Sequence, residues 1–263
     1  MVSTPVLWQF RVSHFNEKVR WALDWKGVAH VRRSLLPVWH VPRMLWLTRQ
    51  TQTPALALGH EVVTDSTRIL ERLEALHPEP ALYPVDPAEH RRAIELEAFF
   101  DEELGPHIRR VLFFELLDHP DYAAELFTVG EGPATRARYR SWFPISRAVM
   151  RTTMGIDTRR ADESRQHVSA ALDRLERELP ASGYLVGDRF SVADLTAAAL
   201  LAPAVLPPEF PYTLPPDMPD SVACYRETLA ARPAFAWAAE MYRRHRGRSA
   251  EVASDATASR LRL

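Results

Sequence analysis

The stretch SHFNEKVRWALDWKG, residues 13 to 27, decides how the amino-terminal third of this chain is read. Val19, Ala22, Leu23 and Trp25 recur at helical spacing from Glu17 to Lys26, and Gly27 stands where a helix stops. Working outward, Val6–Phe10 is a short apolar run that reads as a strand, and Ala29–Ser34 alternates as a second one. Ala55–Leu58 and Glu61–Val63 flank Gly59-His60 and read as a hairpin. A helix follows from Ser66 through Ile69, Leu70, Leu73 and Leu76, and stops before His77-Pro78. The order is β-α-β, an irregular stretch that includes PVWHVPRMLWLTRQ (37–50), then β-β-α.

Residues 78 to 87 carry four prolines in ten positions, a stiff connector between two patterned regions. Beyond it the period is helical. Ala93, Leu96, Phe100 and Leu104 form one stripe and Val168, Leu172, Leu175 and Leu179 another, with no strand pair after residue 90. Ser191-Val-Ala-Asp194 has the form of a capping box, with Phe190 and Leu195 as its hydrophobic staple. The six prolines of 207–219 predict a surface loop, followed by helices over Ser221–Ala231 and Ala234–Arg246. The expected division is a first domain at 1–78, a proline-rich linker at 79–87, an all-helical domain at 88–246 and a loose tail at 247–263.

With 263 residues, 46% hydrophobic and 25% charged, and a formal net charge of −1, the chain reads as a soluble globular protein. A disordered chain and a general nucleic-acid partner are both disfavoured. One cysteine, Cys224, excludes an internal disulfide and a multi-thiolate zinc site, which fits a cytoplasmic location; in its helical region it reads as a small core residue. The most apolar run, Leu195–Leu206, is too short to span a bilayer, so no membrane role is expected. None of the nine glycines falls into GxGxxG or GxxxxGK[ST], and HExxH, GxSxG and EF-hand patterns are missing, so no metal is expected.

Three local signatures fall on this order of elements. Ser13-His-Phe-Asn-Glu-Lys-Val-Arg-Trp-Ala-Leu follows the first strand, Thr53-Pro54-Ala-Leu56 precedes Asp65-Ser66, and GYLVGDRFSVADL contains the capping box. Together, over residues 5 to 245, they resemble the cytosolic glutathione S-transferase family. The resemblance implies an α/β thioredoxin-like N-terminal domain plus an all-α C-terminal helical domain, with glutathione as cosubstrate and a homodimer as the assembly. It places Ser13 at the first position of the thioredoxin-like CxxC and Asn16 at the second. Neither can form a mixed disulfide, so disulfide-reductase chemistry is disfavoured. It also implies a cis Pro54, with Gln52, Thr53, Pro54, Asp65 and Ser66 as glutathione-binding residues.

The chemistry that such a site demands is simple. A thiol with a pKa of about 8.5 is only a few per cent ionised at neutral pH. Lowering that value by about two units takes roughly 2.7 kcal/mol of preferential anion binding, within reach of one hydroxyl donor plus a helix N-terminus. Ser13 is thus expected to donate to the sulfur, although a serine before a helix also serves as a plain cap, and the hydroxyl has the capacity for both. Thr53 would pair with the cysteinyl backbone as an added strand does, and Asp65-Ser66 would meet the γ-glutamyl charges.

Gln52 is a neutral amide where many relatives carry a cation for the glycine carboxylate; Arg43 or Arg49 could replace it, or the thiol could be a different small one. The electrophile site is expected between the domains, with His14, Phe15, Phe113, Phe114 and Trp142 as walls, and His14 facing solvent. The arginines at 136, 138, 140, 147 and 151 read as a solvated helix face. A non-catalytic binding or scaffolding protein on the same fold is the competing reading.

Overall fold

The computed structural model describes residues 4–253. Strand β1 (Val6–Gln9) leads into helix α1 (His14–Trp25), and β2 (Val31–Ser34) follows. Gly27, at φ +60°, closes α1 by letting the Val28 N–H reach back to the Leu23 carbonyl at 2.9 Å. Next come α2 (Val41–Thr48), the hairpin of β3 (Ala55–Leu58) and β4 (Glu61–Thr64), and α3 (Ser66–Leu76). The sheet order is β2-β1-β3-β4, with β1 parallel to β2 and antiparallel to β3. This is the thioredoxin-like layer that the signatures imply. The 37–50 segment is not irregular throughout: Val41–Thr48 is helical, started by Pro42 in its first turn and ended by Arg49 in the left-handed region.

The remaining helices are α4 (Pro87–Phe99), a π-helical turn (Phe100–Leu104), α5 (Gly105–Leu116), α6 (Pro120–Phe127), α7 (Pro133–Thr153), α8 (Thr158–Glu178), α9 (Val192–Val205), α10 (Asp220–Ala230) and α11 (Pro233–His245). Helix α9 is buried almost all round and packs on α1, α4 and α11, so the second domain is built about it. Its start is the capping box the sequence shows: the Asp194 carboxylate accepts from the Ser191 N–H at 2.9 Å and from the Leu185 N–H at 2.7 Å. Burial pushes the Asp194 carboxyl up to about 6 against these bonds. Phe190 reaches into the first domain, with its ring centroid 4.9 Å from that of Trp25 and 5.5 Å from that of Trp21.

Two further expectations are overturned here. Residues 247–253 are not a loose tail. The Val252 N–H donates to the His30 carbonyl at 2.8 Å and Ala250 accepts from the His30 N–H at 3.3 Å, so the segment lies along the approach to β2 as a short parallel bridge. Arg246 at the end of α11 bonds Glu17 and Asp24 of α1 at 2.6 and 2.8 Å, and Asp24 also holds Arg32. The rest of the expected tail, 254–263, lies outside the described residues. Cys224 is the second correction: α10 turns it outward, because Val222, Tyr225 and Leu229 occupy the buried face. Among the described residues no helix is long and apolar enough to cross a membrane.

Candidate functional site

Ser13 caps α1 in an extended conformation (φ −85°, ψ 130°), and its Oγ accepts from the Asn16 N–H at 3.4 Å. That contact is long, and it uses a lone pair of the hydroxyl while leaving its proton free to donate. The turn before Ser13 is held from below. Arg20, fully buried two helical turns on, donates to the Phe10 carbonyl at 3.1 Å, the Ser13 carbonyl at 3.3 Å and the Gln9 side chain at 2.7 Å. Glu17 balances that charge at 2.6 Å. The rings of Phe210 and Tyr212, from the proline-rich 207–219 loop, lie against the guanidinium, and the Tyr212 hydroxyl meets Gln9 Nε2 at 2.6 Å.

Asn16 ties this turn to the other half of the site by donating from Nδ2 to Thr53 Oγ1 at 3.2 Å. The Thr53-Pro54 bond is cis, and Pro54 is buried while Gln52 is exposed. In the β3–β4 hairpin Ala55 faces Thr64, so Thr53-Pro54, just before β3, and Asp65-Ser66, just after β4, flank the same end of the strand pair. Sequence reasoning found two distant dipeptides; the hairpin makes them one edge. Asp65 caps α3, accepting from the Arg68 N–H at 3.2 Å, and is exposed at φ +76°, ψ 132°. That conformation costs a non-glycine residue roughly 1 to 3 kcal/mol, and side chains held so are concentrated at ligand-binding sites. Below it, buried Lys18 spans Glu97 at 2.8 Å and Asp101 at 2.6 Å, and Thr67 donates to Asp101 at 2.7 Å, which fixes the start of α3 against α1 and α4.

The expected electrophile walls separate into three groups. His14 is buried, not solvent-facing: its Nε2–H donates to the Gly105 carbonyl at 3.0 Å. Burial, with Arg109 nearby, lowers its pKa to about 3, so it is neutral at physiological pH. Phe15 packs on Gly105, where a Cβ would come within 2.5 Å of the ring, so only glycine permits this approach of α1 to α5. Phe113 lies 5.6 Å from Phe127 on the same side of α5. Phe114, about 100° further round the helix, sits instead beneath Arg165 of α8 and is not brought to this face. Trp142 is on α7, exposed and edge-on to Trp39 at 6.5 Å. The α7 arginines are largely paired with acids, Arg136 with Glu125, Arg140 with Asp121, and Arg147 and Arg151 with Asp118.

The burial of His14 gives a pH dependence with a definite sign. The unfolded histidine takes up a proton below pH 6.5 and the folded one only near 3, so the unfolded state binds more protons across that window. Stability is therefore complete above pH 6.5 and falls on acidification by up to about 1.4 kcal/mol per pH unit for this one group. Urea titrations from pH 7 to 4.5 are expected to show a shallower decline in His14→Gln than in the parent. An unchanged slope would contradict the assignment. Burial lowers His30 and His40 as well, and they add to the parent slope with the same sign.

Glu103, His107 and His167 are close enough to be considered as metal ligands. The two imidazoles, however, stack face to face at 3.9 Å with 8° between their planes, so their in-plane lone pairs run parallel and do not converge on one ion.

Family models match the chain on both sides of the linker: the glutathione S-transferase N-terminal domain over residues 7–81 and the glutathione S-transferase C-terminal domain over 158–226. The chain belongs to the glutathione S-transferase family. A glutathione S-transferase of Arabidopsis thaliana, TCHQD, is 24% identical over 211 residues, covering 71% of this chain and 72% of that one. A probable maleylacetoacetate isomerase of Caenorhabditis elegans is 32% identical over 96 residues, 35% of this chain and 45% of its own. A glutathione S-transferase from Methylobacterium radiotolerans, solved with glutathione sulfonate, superimposes with a TM-score of 0.54 at 23% identity over 89% of this chain and 93% of that one. This glutathione S-transferase family member carries α4, the π-helical turn, α5, α6 and α7 between the two matched regions.

Within the site, sequence reasoning missed Arg109. It lies one turn after Gly105 on α5, with Cζ 5.9 Å from the Phe15 ring centroid, and the only signal was a cation on an otherwise apolar helix face.

Proposed function

We propose that this protein binds glutathione along the Thr53-Pro54 and Asp65-Ser66 edge, holds its thiol ionised at Ser13, and transfers it to an apolar electrophile. The observation that carries this reading is the Ser13 hydroxyl at the open end of α1, accepting one long backbone contact and keeping its proton for a sulfur anion. The unpaired N–H groups at the start of α1 add positive partial charge at the same place. Asp65, held at an energetic cost in an exposed position, supplies a carboxylate for the γ-glutamyl ammonium. In the transfer, the thiolate sulfur forms a bond to the electrophilic carbon and the leaving group departs with its electron pair. The thiol proton has already gone to solvent.

The test is a titration of glutathione in the bound state by thiolate absorbance, together with conjugation of an aryl chloride. A depressed thiol pKa with turnover supports the transferase. Binding without either favours a ligand-binding role, to which the exposed neutral Gln52 lends weight.

Asp65→Gly separates ligand binding from folding. Glycine adopts the positive φ freely, so stability is expected to hold or rise by up to about 1 kcal/mol despite loss of the cap. Glutathione affinity is expected to fall at least tenfold. Calorimetry and a thermal melt on the same preparation check both halves, and unchanged affinity would remove Asp65 from the binding edge.

A further inference from the structure

Arg109 differs from the arginines around it. Arg110 bonds Ser164 and the Met154 carbonyl, Arg165 pairs with Asp162 and Glu115, and Arg174 pairs with Glu95 and Glu178. Among the described residues Arg109 has neither an ion pair nor a hydrogen bond; its contact is the face of Phe15, and the charge nearest to it is the like charge of Arg110. It is partly buried, and burial pulls its pKa below the usual arginine value. A guanidinium withdrawn from water with no anion is costly, while one that receives an anion when a ligand binds makes strong bidentate contacts.

Its position narrows the ligand. Gly105, Arg109 and Phe113 follow one another at four-residue intervals, so they line one face of α5. The Gly105 end of that face meets His14 and Phe15, the residues directly after Ser13, and the Phe113 end meets Phe127. A cation therefore lies between the sulfur-binding turn and an apolar surface. On the reading above, the γ-glutamyl carboxylate of glutathione belongs to Asp65-Ser66 and its glycine carboxylate to Gln52, Arg43 or Arg49, so neither is assigned to α5.

We propose that Arg109 is a specificity-determining residue that selects electrophiles carrying a carboxylate on an apolar body. This rests on the transferase reading for its context, but the anion site can be tested without turnover. The probes are 4-chloro-3-nitrobenzoate and its neutral isostere 4-chloro-3-nitrobenzamide, each enzymatic rate being divided by the uncatalysed rate with glutathione. The parent is expected to favour the acid at least tenfold in kcat/KM. Arg109→Gln is expected to lower the acid-to-amide ratio at least tenfold, and Arg109→Lys to recover part of it.

No acid preference in the parent, or a ratio that Arg109→Gln leaves intact, overturns the proposal. A raised KM for glutathione with the ratio intact overturns it in favour of the tripeptide's own carboxylates. If the parent conjugates neither probe, the transferase reading fails separately. Calorimetric binding of 4-chloro-3-nitrobenzoate then decides: loss of binding in Arg109→Gln with retention in the parent upholds the anion site, and equal binding refutes it. Circular dichroism of each variant distinguishes these outcomes from misfolding, with Arg109→Lys as the second variant should Arg109→Gln not fold.

Discussion

Arg246→Met is expected to lower the unfolding free energy by roughly 3 kcal/mol and to loosen the carboxyl-terminal segment from the sheet. Arg246 is almost fully buried and donates to Glu17 and Asp24, themselves inaccessible side chains of α1. Removing one partner of a buried pair typically costs about 3 to 5 kcal/mol, because the remaining charge cannot return to water. The lower end applies here, since Glu17 keeps Arg20 and Asp24 keeps Arg32. Methionine retains most of the packing volume, so the loss reads the charge rather than a cavity. Denaturant unfolding measures the stability change, and amide exchange at His30 and Val252 reports the segment, because their N–H groups are bonded across the tail junction. A loss below about 1 kcal/mol with exchange unaltered would mean that the ion pairs do not anchor the segment.

The second large effect is on chemistry. Ser13→Ala is expected to raise the pKa of bound glutathione by about one to two units, the equivalent of about 1.4 to 2.7 kcal/mol of lost anion stabilisation. At pH 6.5, where the free thiol is almost wholly protonated, conjugation should fall about 10- to 100-fold. Above the pKa of the free thiol the parent and the variant should converge, because solvent hydroxide then does the ionising. That convergence separates a thiolate-stabilising hydroxyl from a structural cap. Loss of the cap alone would cost about 1 kcal/mol of stability and shift the rate equally at every pH. A pH-independent rate ratio would leave Ser13 as a cap and nothing more.

The features legible beforehand share a length scale. The helical stripe and Gly27 of α1, the Gly59-His60 turn and the Ser191–Asp194 box are each settled by residues within one or two turns of one another. Such preferences act on the local backbone, so the order of the strands and of the helices α1 and α3, with the Thr53-Pro54 and Asp65-Ser66 pairs, could be read along the chain, while α2 within 37–50 could not. The pairing of β3 with β4 then brought Thr53-Pro54 and Asp65-Ser66 to one end of the hairpin.

What tertiary structure alone decided concerns charge and burial. Nothing near residue 246 announces that it will meet Glu17 and Asp24, more than two hundred positions away, and the polar composition of the tail suggests solvent. His14 looks like a surface histidine until α5 closes over it, which Gly105 permits by having no side chain. Phe113 and Phe114 are equivalent in composition and fall on different faces. Arg109 becomes informative only once the neighbouring arginines have each found a polar partner, Arg110 in Ser164 and the Met154 carbonyl, Arg165 and Arg174 in carboxylates. The sequence by itself determined where most of the helices and strands run, α2 excepted, because hydrophobic spacing and caps act over a few residues. Which charges lose their water, and which of them find partners, is settled by packing between segments far apart in the chain, where desolvation and Coulomb energies depend on distances that local sequence does not encode.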